Sequence, residues 1–187
     1  MPDKSFLFNQ EPNWVENRQD LKQRLAEPVQ SWTYEPGSLT QRLRSYYGNA
    51  VAVNILHQRW HSPYLSERRL LGIPEQRFCL IREVLLHANG KPLLLARTVI
   101  PEATIKVAHR NLSHLGNRPL GEVIFSYPKL ERLTMELTLI APSTWRSSVL
   151  KEAQIKQPVP GRRTVYAIEY KQMLVSEFFL PEVLAIF

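Results

Sequence analysis

The stretch "IREVLLHANGKPLLLARTVIP", residues 81–101, contains the turn that decides the fold. Asn89-Gly90 is a strong signal for a two-residue hairpin turn of type I′, because both residues tolerate a positive φ angle. The apolar runs on either side of this turn therefore predict two antiparallel strands. Counting outward from a loop of these two residues places Arg82 directly opposite Arg97.

Two arginines side by side on a sheet need a partner. Like charges that lie directly opposite each other destabilise a sheet. An anion is the simplest partner, because the planar guanidinium group meets a carboxylate or phosphate with two hydrogen bonds. In the alternative interpretation, Arg82 and Arg97 lie at strand ends in water. A register slip of one residue would also separate them.

The final hairpin places an acid among apolar side chains. In "MLVSEFFLP", residues 173–181, the alternation puts Glu177 on the same face as Val175 and Phe179. A buried carboxylate is costly unless a cation lies near it. Glu177 could instead lie at a wet sheet edge, or pair with an arginine for stability alone. Together with Arg82 and Arg97, however, it suits a small dianion whose reaction moves a proton.

The chain has the length and composition of one globular domain. It has 187 residues, of which 44% are hydrophobic and 22% are charged. We expect a single domain over residues 1–187, in which residues 1–30 form an N-terminal helical segment. Strand pairs joined by short turns predict an α+β fold: an antiparallel sheet of about six strands with helices packed on one face.

Composition also argues against several classes of protein. The net charge of +7 permits nucleic-acid binding, but the basic residues are dispersed along the chain. No apolar run approaches the ~20 residues of a membrane span, and the first residues do not resemble a signal peptide. The single cysteine, Cys79, suits a reducing cytoplasm. The scattered histidines lack metal-ligand spacing, so we expect no metal site.

Several blocks of sequence resemble the chorismate pyruvate-lyase (4-hydroxybenzoate synthase) family. The blocks are "LIREVLLHANGKPLLLARTVIP", "LGNRPLGEVIF" and "GRRTVYAIEYKQMLVSEFFLP", with a weaker match in "SWTYEPGSLTQRL". Their order and spacing are kept over residues 30–181. The resemblance implies a monomeric cytoplasmic enzyme whose ligand is buried under helical flaps. It would convert chorismate to 4-hydroxybenzoate and pyruvate, the first step of ubiquinone synthesis, without a cofactor or metal.

The resemblance also implies a set of site residues. The substrate-binding positions fall on Arg82, Leu120, Glu177 and Leu39, the last where a methionine is usual in the family. Arg97 matches the family's second active-site arginine. Asn117 and Arg118 stand where a lysine and a threonine are common.

The implied catalytic residues are Arg82, Arg97 and Glu177. Arg82 would bind the ring carboxylate of chorismate, and Arg97 would help to neutralise the leaving enolpyruvyl group. Glu177 would accept a hydrogen bond from the C4 hydroxyl, and either transfer a proton or only position the substrate.

Other functions remain open at this level. The same fold serves as the small-molecule sensor domain of bacterial transcription regulators. Those regulators carry a DNA-binding domain ahead of the sensor, and we expect the ~30 residues before the matched region to be too few for one. A lyase that acts on a related chorismate derivative is a further possibility. A nucleic-acid-binding module is a distant third, and it would bind with a steep salt dependence.

Overall fold

The computed structural model describes residues 4–108 and 112–186, which build an antiparallel sheet covered by helices. The strands are β1 (Val15–Glu16), β2 (Ala52–His61), β3 (Cys79–Ala88), β4 (Lys91–Ile100), β5 (Leu130–Ile140), β6 (Val159–Ile168) and β7 (Lys171–Phe179). The α-helices are α1 (Gln19–Arg24), α2 (Glu27–Thr33), α3 (Leu39–Tyr47), α4 (Leu65–Leu71), α5 (Glu102–Val107), α6 (Leu120–Ile124), α7 (Ser147–Glu152) and α8 (Pro181–Leu184).

The sheet confirms the predicted α+β class. Within the described residues its strand order is β1-β5-β6-β7-β4-β3-β2, and every neighbouring pair is antiparallel. It therefore has seven strands where the sequence indicated about six. The additional strand is the two-residue β1, which pairs with β5 at the sheet edge. In the described parts of the chain, no helix is both long enough and apolar enough to cross a membrane.

Helices cover both faces of the sheet rather than one. The first face, which carries Val84, packs against α2, α3, α5, α6 and α8. The second face, which carries Leu95 and Phe178, packs against the start of the chain, α4 and α7. Burial on both sides explains why β3 and β4 are buried along most of their length and are rich in apolar residues that do not alternate with polar ones.

The Asn89-Gly90 turn is confirmed, but the register predicted from it is wrong. Both residues have positive φ angles, 51° and 74°, as a type I′ turn requires. The pairing then shifts by one residue beside Pro92, so that Leu86 lies opposite Leu94. Pro92 has no N–H for the ladder, and the extra residue, Leu93, is accommodated as a bulge.

The bulge moves the arginines of this hairpin to opposite faces. Arg82 lies opposite Thr98, and Arg97 lies opposite Glu83. The predicted contact between Arg82 and Arg97 is therefore wrong. The observed register replaces a pair of like charges by a pair of opposite charges, which stabilises the sheet instead of opposing it.

The described part of the N-terminal segment is included in the packed structure. It contributes β1, α1 and the start of α2. Leu7 and Phe8 are buried with Trp145 and Phe178 on the second face. The backbone N–H of Phe6 donates to Glu83 Oε2 at 2.6 Å, which fixes this segment to β3.

Candidate functional site

A cavity lies between the first face of the sheet and the helices α3 and α6. It contains about 560 Å³ of empty space, including the part that opens to solvent. The sheet contributes Val53, Arg82, Val84, Leu86, Leu94, Ala96, Thr98, Tyr166, Val175 and Glu177 to its lining. The helices α3 and α6, with the residues on either side of α6, contribute Leu39, Thr40, Pro119, Leu120, Gly121, Ile124 and Phe125. The lining is largely apolar with a few polar groups, as is typical of small-ligand sites.

Arg82 is a buried cation whose hydrogen-bond partners, among the described residues, are neutral groups. Its residue is 2% exposed. Nη1 donates to Gln58 Oε1 at 2.6 Å, and Nη2 donates to the carbonyls of Gly116 and Arg118 at 2.9 and 3.2 Å. Burial lowers the pKa of Arg82 from its usual value. Among the described residues no carboxylate pairs with it, so an anionic ligand in the cavity would compensate a charge that the protein leaves unbalanced.

Glu177 reaches the same cavity from β7 and is paired with Arg162 of β6. The Glu169-Tyr170 turn, with φ angles of 49° and 66°, sets the register that places these two residues opposite each other. Arg162 Nε donates to Glu177 Oε2 at 2.7 Å. Within the described residues Glu177 Oε1 has no hydrogen-bond donor, so this oxygen is available to a ligand hydroxyl.

Tyr166 adds a polar atom to the lining, and an arginine outside the cavity binds it. Arg132 Nη2 donates to the Tyr166 hydroxyl at 2.9 Å. Burial, followed by the negative charge of Glu177, raises the pKa of Tyr166 above its usual value. Tyr166 is therefore a neutral hydroxyl at physiological pH.

The two helices that close the cavity are fitted to each other. Ser38 caps α3 by accepting a hydrogen bond from the Gln41 N–H at 3.3 Å, as its sequence position predicts. Gly121 of α6 lies against that cap, since a Cβ atom there would be 2.9 Å from Ser38 Oγ. Arg44 Nε of α3 and Glu122 Oε1 of α6 form an ion pair at 2.8 Å.

Arg97 lies on the other face of the sheet, outside this cavity. Its Nε and Nη2 atoms donate to both oxygens of Glu67 at 2.7 and 2.9 Å, and Nη1 donates to Glu83 Oε1 at 2.7 Å. Burial alone would lower the pKa of Arg97, but the charges of Glu67 and Glu83 outweigh it and raise the pKa. Arg97 therefore has two carboxylate partners already, so its charge is balanced without an anionic ligand.

The cavity thus brings together four of the five predicted site residues, namely Leu39, Arg82, Leu120 and Glu177. It excludes Arg97, because the bulge beside Pro92 turns that side chain to the other face. Arg162, which the sequence did not single out, is a further residue at this site. Counting pairs outward from Glu169-Tyr170 would have found it, but that dipeptide lacks the Asn-Gly signal of the first hairpin.

The described residues include no group of three or more His, Cys, Asp and Glu side chains that could hold a metal ion. The polar groups of the lining instead suit an aromatic or cyclic acid. A cation at Arg82 can bind a carboxylate, a carboxylate at Glu177 can accept a proton or a hydrogen bond, and apolar walls can hold a ring.

Comparisons with known proteins agree with this geometry. A family model described as chorismate lyase matches residues 9–186. A protein of Methylococcus capsulatus named "Probable chorismate pyruvate-lyase" is 41% identical over 158 residues, which cover 84% of this chain and 98% of the relative. A protein of the same name from Hydrogenovibrio crunogenus is 33% identical over 180 residues, with 95% and 96% covered.

Solved structures show the same fold at low sequence identity. A GntR-family transcriptional regulator from Bacillus cereus matches with a TM-score of 0.55 and 15% identity, over 72% of this chain and 94% of that one. The C-terminal domain of the histidine utilization repressor from Pseudomonas syringae matches with a TM-score of 0.53 and 12% identity, over 71% and 92%. These similarities concern the fold alone.

Proposed function

Because the chain belongs to the chorismate lyase family, we propose that it converts chorismate into 4-hydroxybenzoate and pyruvate. The observation that carries the proposal is that one cavity wall holds both a buried cation without a carboxylate partner among the described residues, Arg82, and a carboxylate, Glu177. The proposed setting is a cytoplasmic monomer that supplies the first step of ubiquinone synthesis, as the family resemblance implies.

The reaction needs little chemistry from the protein. The bond between C3 and the ether oxygen breaks, the hydrogen at C4 is lost, and the ring becomes aromatic. The enolpyruvyl group takes up a proton and leaves as pyruvate. Aromatisation supplies much of the driving force, so the site has to hold a reactive conformer and to stabilise developing charge.

We assign the ring carboxylate of chorismate to Arg82. This ion pair would replace the missing counter-charge and would form away from water, where it is strongest. The apolar side chains of Leu39 and Leu120, which face the cavity from α3 and α6, would hold the ring. The second carboxylate, on the leaving group, then lies toward solvent, because Arg97 is outside the cavity.

We assign the C4 hydroxyl to Glu177, whose Oε1 is available for it. Glu177 either receives a proton during the reaction or only orients the hydroxyl while hydrogen passes within the substrate. The size of the loss of kcat in Glu177→Gln separates these two roles. A proton-transfer role predicts a large loss of kcat, about 100-fold or more, whereas an orienting role predicts a modest one.

A turnover assay tests the proposal. The purified protein is incubated with chorismate, while 4-hydroxybenzoate is followed by its absorbance and pyruvate by a coupled enzyme. The proposal predicts equal amounts of both products from the wild type and a large loss of kcat/KM in Arg82→Met. Arg18→Met, at an exposed position remote from the cavity lining, is the matched control.

A non-catalytic sensor of aromatic carboxylates is the second candidate, since the fold is shared with transcriptional regulators. The same assay separates the two. A sensor would bind 4-hydroxybenzoate and gain thermal stability from it, but it would release no pyruvate from chorismate.

A further inference from the structure

Two arginines connect the cavity to the segment that precedes α3. We name residues 33–38, from the last residue of α2 to the N-cap of α3, the connector. Arg162 Nη1 donates to the connector carbonyls of Thr33 and Glu35 at 2.8 and 2.9 Å. Arg132 Nη2 donates to the carbonyl of Pro36 at 3.2 Å. Each arginine also binds a residue of the cavity lining, Glu177 and Tyr166 respectively.

Arg162 is the more deeply buried of these two links, with a side chain that is 1% exposed. Burial alone would lower its pKa, but the charge of Glu177 outweighs burial and raises the pKa. Its guanidinium group is therefore a permanent cation whose position is set on one side by Glu177 and on the other by the connector. Neither set of contacts can shift without disturbing the other.

The connector leads directly into the part of α3 that closes the cavity. Its last residue, Ser38, is the N-cap of α3, and the next two residues, Leu39 and Thr40, line the cavity. Gly121 of α6 packs against Ser38, so the position of the connector also determines where α6 packs. Glu177 is thus linked to the helices that cover the cavity through two contacts, one with Arg162 and one between Arg162 and the connector.

We propose that Arg162 is a positioning residue that couples the orientation of Glu177 to the closed position of the connector and α3. A ligand hydroxyl bound at Glu177 Oε1 then fixes the carboxylate, the carboxylate fixes Arg162, and Arg162 holds the connector closed. In this arrangement ligand binding and closure reinforce each other. The inference rests on the proposed function only in taking 4-hydroxybenzoate as the ligand.

The neighbouring residue Arg163 is a matched control within the same strand. It too is a buried arginine that pairs with a carboxylate on an adjacent strand, in this case Glu136 of β5. It lies on the opposite face of the sheet and contacts Ser66 of α4 rather than the connector. Loss of a buried ion pair as such would therefore affect both variants alike, whereas of these two residues only Arg162 makes the contacts that the proposed coupling needs.

The test compares Arg162→Gln with Arg163→Gln by hydrogen exchange and by calorimetric titration with 4-hydroxybenzoate. In the free wild type, amides of residues 34–43 should be protected, and the ligand should protect them further. In Arg162→Gln these amides should exchange about tenfold faster, the added protection by ligand should vanish, and affinity should fall about tenfold. Arg163→Gln should keep both the ligand-induced protection and the affinity.

Two further variants keep the test decisive if Arg162→Gln does not fold. Arg162→Lys keeps the charge but cannot reach Glu177 and both carbonyls together, and Glu177→Ala removes the other end of the link. Both should speed exchange of residues 34–43 in the free protein. Wild-type exchange rates in these variants, or equal effects in Arg162→Gln and Arg163→Gln, would overturn the inference. Absence of turnover by the wild type would instead count against the proposed lyase activity.

Discussion

Replacing Arg97 by methionine should destabilise the protein strongly while sparing the ligand site. The change leaves Glu67 and Glu83 buried without their cation, and both have almost no exposed surface. Removing one member of a buried ion pair costs about 3–5 kcal/mol. For a chain of this length that loss corresponds to a fall in Tm of roughly 6–20 °C.

The contacts of the two carboxylates explain why the loss should be large. Glu83 also accepts hydrogen bonds from Ser5 Oγ at 2.5 Å and from the Phe6 N–H at 2.6 Å, and Glu67 accepts one from the Tyr64 N–H at 2.8 Å. These groups stay fixed around the charges after Arg97 is removed. Adding Glu83→Gln to Arg97→Met should recover part of the stability, because it removes one unpaired charge and keeps an acceptor.

Thermal and urea unfolding followed by circular dichroism measure the effect, and Arg18→Met, at an exposed ion pair, is the control that should change little. Calorimetry at low temperature should show that folded Arg97→Met binds 4-hydroxybenzoate as the wild type does. If Arg97→Met instead unfolded within a degree or two of the wild type and lost its affinity for 4-hydroxybenzoate, the assignment of Arg97 to the core would be wrong.

Further substitutions test the packing around the site. Gly161→Ala places a Cβ atom 2.6 Å from the Phe178 ring and 2.9 Å from the Glu177 carbonyl, and overpacking of this kind should cost about 1–3 kcal/mol in urea unfolding. Gly121→Ala should push α6 away from Ser38, so calorimetry should show weaker binding of 4-hydroxybenzoate with little change in Tm. Burial raises the pKa of Cys79 to about 12, so an aromatic disulfide reagent at pH 8 should react with it only after denaturant is added.

Each of these three predictions has a clear contrary result. Unchanged urea stability of Gly161→Ala would mean that the β6–β7 pairing relaxes more easily than the close contacts allow. Unchanged affinity in Gly121→Ala would separate the α3–α6 contact from ligand closure. Rapid modification of Cys79 in the folded protein would contradict its burial at the start of β3. The reaction in denaturant is the control that shows the reagent to be active.

The sequence predicted turn chemistry well and long-range register poorly. Asn89-Gly90 has few conformations open to it, so local preference alone determines the turn. The register beyond Pro92 depends on which faces of the sheet the helices cover. Alternation of polar and apolar residues cannot indicate the covered face when both faces are apolar. The predicted register therefore placed Arg97 at the ligand site, whereas in the structure Arg97 forms buried ion pairs with Glu67 and Glu83.

In the candidate site, the sequence predicts the face of the sheet on which a residue lies when that face follows from a single strand. The alternation in β7 placed Glu177 correctly, because a face assignment needs no partner strand. Arg162 was missed since its role depends on contacts with residues more than a hundred positions away in the chain, at Thr33 and Glu35. The side chains that close the cavity, on α3 and α6, could be assigned only through the family resemblance.

A crystal structure of the protein with bound 4-hydroxybenzoate tests the central claim most directly. The account predicts the product in the cavity under α3 and α6, with its carboxylate on the Arg82 guanidinium and its hydroxyl within hydrogen-bond distance of Glu177 Oε1. A product molecule bound instead beside Arg97, on the other face of the sheet, or one turned so that its carboxylate faces Glu177, would contradict the account.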